Sequence, residues 1–330
     1  MEIRVLNEAD IQEVMTMKEA IQADKEALKL YSEGETEIPL RTNIDVEEFE
    51  GQNLYMPGLA GSAAGIKIAS VYPNNIRKGI SSVPATMIML NEETGEVSAL
   101  MDGTYLTRLR TGAVSGAATD LLACKNASVF ALFGTGGQAQ HQLEAILTVR
   151  PIKEVRVFDI DQERASAFAH QMIDLFAEKF EVEIKTVASS KEAISGADVI
   201  TTVTTSTKPV FDSKDLKPGV HINGVGSYTP DMQELPEEIF AQASKIYLDT
   251  KDGVLNESGD LINPLKKGII QKESITGELG QLVAEKTPGR QTDDEITIFK
   301  TTGSAVLDIV VGKAIYEKAL ELNKGQVIEL

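Results

Sequence analysis

At 330 residues the chain exceeds the size at which one hydrophobic core usually stops growing, so two domains are expected, and 42% hydrophobic with 25% charged residues excludes a disordered chain. Against 32 basic side chains stand 50 acidic ones, and a net charge of -18 repels a phosphate backbone, which argues against a nucleic-acid partner. Cys124 is the only cysteine, which excludes an internal disulfide, and no apolar run reaches the length of a bilayer span, so no membrane partner and a cytoplasmic location are expected.

Thr16, with Glu19 three residues on, has capping-box spacing and predicts a helix that closes near Gly34. Short β-rich runs follow at 38–44, 53–59, 64–72, 83–90 and 97–101, and Glu93-Thr94-Gly95 reads as a hairpin turn. This first segment is expected to form an antiparallel sheet with a helix laid on it. Residues 104–123 turn helical, and a domain boundary is expected there. Strand-like runs then recur at 129–133, 155–158, 184–187, 199–203, 220–225, 246–249 and 296–300, the early ones spaced by helical stretches, as in a parallel, doubly wound sheet. Residues 305–322 carry apolar positions at helical spacing, long enough to return to the first domain.

Gly134-Thr135-Gly136-Gly137-Gln138-Ala139 is a G-x-G-x-x-A run directly after an apolar strand and directly before a helical stretch. The first glycine permits a tight turn, the second lets backbone approach a pyrophosphate, and Ala139 lets helix and strand pack closely. A glycine triplet in isolation equally describes a plain strand-to-helix turn; the context here is completed by Asp159. It closes the next strand where an acidic side chain would accept from adenosine ribose hydroxyls and repel a 2′-phosphate, so NAD(H) is expected in preference to NADP(H). Thr202 and Thr204, and Val225 and Gly226, follow later strands and are candidates to line the nicotinamide half. The expected fold class is therefore α/β, a Rossmann-type doubly wound domain of residues 121–303 inserted in a smaller α+β domain of residues 1–120 plus 304–330.

Arg41, Lys67 and Arg110 stand in otherwise apolar surroundings, where a cation is costly to bury without a partner. A bound carboxylate would be such a partner, held by an arginine fork with a lysine beside it; snorkelling at a sheet edge is the structural alternative. Arg108, two residues from Arg110, should point away from it. His141, His170 and His221 lack metal-ligand spacing, and no metal is expected.

The stretches Ile38-Pro39-Leu40-Arg41-Thr42, Gly65-Ile66-Lys67, Tyr72-Pro73-Asn74-Asn75, Leu109-Arg110-Thr111-Gly112, the 133–139 loop, His221-Ile222-Asn223-Gly224-Val225-Gly226 and Phe299-Lys300-Thr301-Thr302-Gly303 occur in one order. On these the chain resembles the ornithine cyclodeaminase/μ-crystallin family from its N-terminal helix to its C-terminal one. The resemblance implies a homodimer in which the smaller domain serves substrate binding and dimerisation. It also implies a carboxylate-binding triad of Arg41, Lys67 and Arg110, with Thr111 joining Gly134, Thr135, Gly136, Gly137, Gln138 and Ala139 in cofactor binding.

Two positions where cyclodeaminases carry acids are Tyr228 and Leu54 here, which counts against ornithine as substrate. Asp231 resembles the imine-reductase-like members and joins Lys67 as a catalytic candidate, with capping of the next segment as its other reading. Met56 and Tyr228, with Tyr72 and Met87, are expected pocket walls. The expectation is hydride transfer between NAD(H) and the α-carbon of a small amino or imino acid, as in a ketimine reductase or amino-acid dehydrogenase. An ammonia-releasing cyclodeaminase with catalytic NAD, and a nucleotide-gated ligand-binding protein without turnover, are the alternatives.

Overall fold

The computed structural model describes residues 1–330, the side chain of Ile76 excepted. In chain order the elements are β1 (Glu2–Leu6), α1 (Glu8–Val14), α2 (Met17–Glu33), β2 (Thr36–Glu37), β3 (Thr42–Val46), β4 (Gly51–Ala60), β5 (Ala63–Val71), β6 (Ala85–Leu90), β7 (Val97–Asp102) and α3 (Gly103–Leu122). There follow β8 (Val129–Phe133), α4 (Ala139–Val149), β9 (Glu154–Phe158), α5 (Gln162–Phe176), β10 (Glu183–Thr186), α6 (Ser190–Ile194), β11 (Val199–Thr202), β12 (His221–Gly224), α7 (Glu238–Gln242) and β13 (Lys245–Leu248). The chain ends through α8 (Lys251–Glu257), α9 (Gly259–Lys266), β14 (Gly277–Glu278), α10 (Leu279–Val283), β15 (Thr297–Lys300), α11 (Ala305–Glu321) and β16 (Gln326–Glu329). Two compact units result: Met1–Arg110 with Ser304–Leu330, and Thr111–Gly303. The first division falls inside α3 rather than near its end, because packing, not a break in the helix, assigns its two halves.

In the first unit Thr16 accepts from the Glu19 amide while Glu19 accepts from the Thr16 amide at 2.9 Å, and Gly34 closes α2 in the left-handed region. The sheet runs β16-β1-β7-β6-β5-β4-β2, with β3 also on β4. It is mixed rather than purely antiparallel: β1, which the alternation of short apolar and charged residues near the start did not reveal, pairs parallel with β7. The run at 38–44 becomes strand only from Thr42, since Pro39 has no amide to donate, and Arg41 therefore lies on a loop. Helix α11 packs on β4, β5 and α2.

The second unit is built on an all-parallel sheet in the order β10-β9-β8-β11-β12-β15-β13-β14. Along β8 the period of two divides the core: Phe130 and Leu132 belong to one apolar cluster with Val155 and Val199, while Ala131 and Phe133 belong to another with Ile200, Ile222 and Ile298. Both faces are thus covered, as a parallel sheet requires.

Candidate active site

The order of the second unit reverses between β8 and β11, and ligands of open α/β sheets bind at the carboxyl ends of the strands at such a switch. After β8 the chain turns at Gly134, whose φ of +95° and whose distance of 2.9 Å from a would-be Cβ to the Val203 carbonyl both require glycine. Nothing lies within 4 Å of a Cβ placed on Gly136 or Gly137, so a pyrophosphate has open room there. Helix α4 starts without a side-chain cap; its Ala139 amide donates to the Gly136 carbonyl at 3.0 Å, and the positive end of the helix faces the glycine loop. These features fit a dinucleotide phosphate.

Asp159 Oδ2 accepts from the Thr135 amide at 3.0 Å and its hydroxyl at 2.7 Å, bracing the glycine loop. Burial pushes the Asp159 carboxyl up, but the Asp161 amide and both Thr135 donors hold it below the usual carboxylate range. The next residue, Ile160, is 95% exposed. Thr202 is fully buried and turns its hydroxyl to Glu234, so it acts behind the loop surface rather than on it. Thr204 binds the same carboxylate, and Val225 and Gly226 donate amides to the Thr202 carbonyl at 2.9 and 3.2 Å. Thr111 is buried, and its carbonyl accepts from Gln142 on α4.

The first unit gathers the expected cations. Lys67 on β5 is 2% exposed and stands between Met56 and Met87 on the flanking strands. Its Nζ lies 2.6 Å from Asp308 Oδ2, and Arg110 Nε lies 2.9 Å from Asp308 Oδ1. The partner sought for these cations is therefore first a carboxylate of the chain itself, on α11. Asp308 engages only Nε of Arg110, and the fork has further donors for a second anion. Burial lowers the Lys67 pKa from 10.5 to about 8; Asp308 opposes this, while Arg110 and Arg41 reinforce it. Asp24 on α2 is fully buried in the same field with neither oxygen hydrogen-bonded among the described residues, and burial pushes its pKa well up, with Arg110 opposing.

Asp308 and Asp24 are the residues that motif reading does not find. The signal Asp308 does carry is an acid within an apolar stretch of its helix, Val306-Leu307-Asp308-Ile309; Asp24, among Glu19, Glu26 and Glu33 on α2, carries none. Tyr228 and Asp231, both exposed, belong to the second unit. Tyr72 lines a separate concavity of about 770 Å³ with Glu47, Glu48, Glu50, Asn74 and Lys78, whose carboxylates would repel an acidic substrate. His221 is buried against Thr297 and Asn223, and burial lowers its pKa to about 3, so it is a neutral core residue. No metal-binding group of acids, histidines or cysteine occurs among the described residues, nor is any helix there long and apolar enough to cross a membrane.

The second unit thus has the architecture of a dinucleotide-binding fold, joined in one chain to a unit with a buried Lys67–Asp308–Arg110 cluster. The chain belongs to the ornithine cyclodeaminase/mu-crystallin family, whose model matches residues 1–323. It is 40% identical over 98% of its length, and 99% of the relative's, to Delta(1)-pyrroline-2-carboxylate reductase of Bacillus cereus (strain ZK / E33L). Its fold matches that of Thermococcus litoralis Delta(1)-pyrroline-2-carboxylate reductase in complex with NADH and L-proline, with TM-score 0.92 and 40% identity over 98% of this chain and 99% of the other. An archaeal alanine dehydrogenase dimer with bound NAD superposes with TM-score 0.91 and 36% identity, covering all of both chains.

Proposed function

We propose that this protein is an NAD(H)-dependent oxidoreductase that reduces the C=N bond of a small α-imino acid, or oxidises the corresponding α-amino acid, with cyclic imines of the pyrroline-2-carboxylate type as the leading substrates. The observation that carries the reading is the buried Lys67–Asp308–Arg110 cluster, in which the Arg110 fork keeps donors beyond the one spent on Asp308, in a chain whose other unit bears a pyrophosphate cradle. Arg41 and Arg110 hold the substrate carboxylate, which exchanges water for a charge-assisted fork. Met56 and Met87, in register with Lys67, give the pocket apolar walls that accept a short aliphatic ring.

Bound NADH supplies the hydride to the α-carbon. Lys67 supplies the proton: its ammonium donates to the imine nitrogen, and the neutral amine is then stabilised by the same burial that holds its pKa at about 8. In the oxidative direction Lys67 takes that proton back. Gly134, Thr135, Gly136, Gly137 and the start of α4 hold the pyrophosphate, Asp159 the adenosine ribose, and exposed Ile160 offers an apolar face to the adenine. Thr111, Thr204, Val225 and Gly226 serve the nicotinamide half, with Tyr228 and Asp231 in the loop beyond. The enzyme acts in the cytoplasm as a homodimer; the archaeal alanine dehydrogenase is a dimer, and Leu40, Ile44 and Phe49 of the first unit are exposed apolar residues that a second copy would cover.

The test is loss of NADH absorbance by the purified protein with pyrroline-2-carboxylate, with pyruvate plus ammonia, and without substrate, alongside release of ammonia from ornithine. Turnover with the cyclic imine is expected. Ammonia release from ornithine without net change in NADH would replace the reductase by a cyclodeaminase, and NADH binding without any turnover would leave a ligand-binding protein.

A further inference from the structure

We infer that Glu234, a residue on no recognised motif, is a positioning residue for the nicotinamide half of the cofactor site, its buried carboxylate holding the loops after β11 and β12 in their binding conformation. This rests on the NAD(H) reading above and deepens it. Glu234 is fully buried. Its Oε1 accepts from the amide and the hydroxyl of Thr204, the latter at 2.8 Å. Its Oε2 accepts from the amides of Gly226 at 2.6 Å and Ser227 at 3.1 Å and from the hydroxyl of Thr202 at 3.1 Å. Backbone amides can only donate, and they point at both oxygens, so the group works as an acceptor on each side. Burial and then Asp260 push its pKa up; Lys300 and the Thr204 donors pull against them.

The carboxylate is itself anchored. Asp260 Oδ1 accepts from the amides of Glu234 and Leu235 at 2.7 and 2.9 Å. Fully buried Lys300 lies 3.4 Å from Asp260 Oδ2 and donates to the Gly224 carbonyl at 3.0 Å, which ties the network to the end of β12. A Cβ on Gly226 would lie 2.1 Å from the Thr204 carbonyl oxygen, so the two loops are in backbone contact where the carboxylate joins them. The same β11 loop abuts Gly134 through Val203, beside the pyrophosphate cradle and on the side of the second half of the sheet. That half serves the nicotinamide nucleotide in a doubly wound fold, whereas adenosine sits over the first.

Glu234→Gln presents an amide donor to loop amides that need an acceptor, and Thr204→Val removes one hydroxyl while leaving the Thr204 amide bonded. Two readouts other than turnover are taken on the full chain: hydrogen exchange of residues 203–206 and 225–227 without cofactor, and affinities for NADH and for ADP, which lacks the nicotinamide riboside. For Glu234→Gln, faster exchange in both loops is expected, with NADH affinity about tenfold weaker and ADP affinity within about twofold of wild type. Thr204→Val should show the same pattern at about threefold, and it carries the test if Glu234→Gln does not fold. Unchanged loop exchange, unchanged NADH affinity, or an equal loss for NADH and ADP would overturn the role given to Glu234 while leaving the cofactor reading intact. Wild-type protein that binds neither ligand would overturn the cofactor reading and this inference together.

Discussion

Replacing Lys67 by methionine separates catalysis from stability, because the structure predicts that the two respond in opposite senses. The gap between the ordinary lysine value of 10.5 and about 8 corresponds, at ~1.4 kcal/mol per pH unit, to about 3 to 4 kcal/mol against holding the ammonium in the folded state. The folded value lies below the unfolded one, so the unfolded chain binds more protons between pH 8 and 10.5. This group's contribution therefore rises with pH across that window, and its full cost is present below it. Methionine removes the cost and fits among Met56 and Met87, while Asp308 keeps Arg110 at 2.9 Å and is not left as an unpaired buried charge. The variant should unfold at no lower a denaturant concentration than wild type at neutral pH, yet lose about 100- to 10,000-fold in kcat/KM for imine reduction. In wild type kcat/KM should fall as pH passes about 8, where the ammonium is lost, and Lys67→Met should lack that fall. The assays are a denaturation curve and initial rates of NADH oxidation across pH. Near-normal turnover, or a loss of several kcal/mol in stability, would refute the reasoning and leave Lys67 a structural cation.

Arg110→Lys keeps a charge near Asp308 but removes the planar fork, so KM for the imino acid should rise about tenfold or more with NADH affinity unchanged, measured by steady-state kinetics beside NADH titration. Asp159→Asn removes the charge that disfavours a 2′-phosphate, so the ratio of kcat/KM for NADH over NADPH should fall by about tenfold; an unaltered ratio would limit Asp159 to bracing Thr135.

The parts legible in the sequence are those whose physics is local. The Thr16–Glu19 cap, the apolar strand ending in the 134–139 loop, and the acid at the end of β9 each lie within one turn or one strand-to-helix step, so residue type and spacing suffice to place them. The lone cation Lys67 on apolar β5 also announced itself, since burial of an unpaired charge is too costly to be accidental. What tertiary structure alone decided is which groups answer them. Arg110 and Asp308 are 198 residues apart, and they meet only because α11 returns to pack on β4 and β5 after the whole second unit has been built. The parallel pairing of β1 with β7 and the gathering of two loops on Glu234 are of the same kind. Each depends on contacts between distant segments, whose free energy is set by packing geometry and not by the neighbours in the chain.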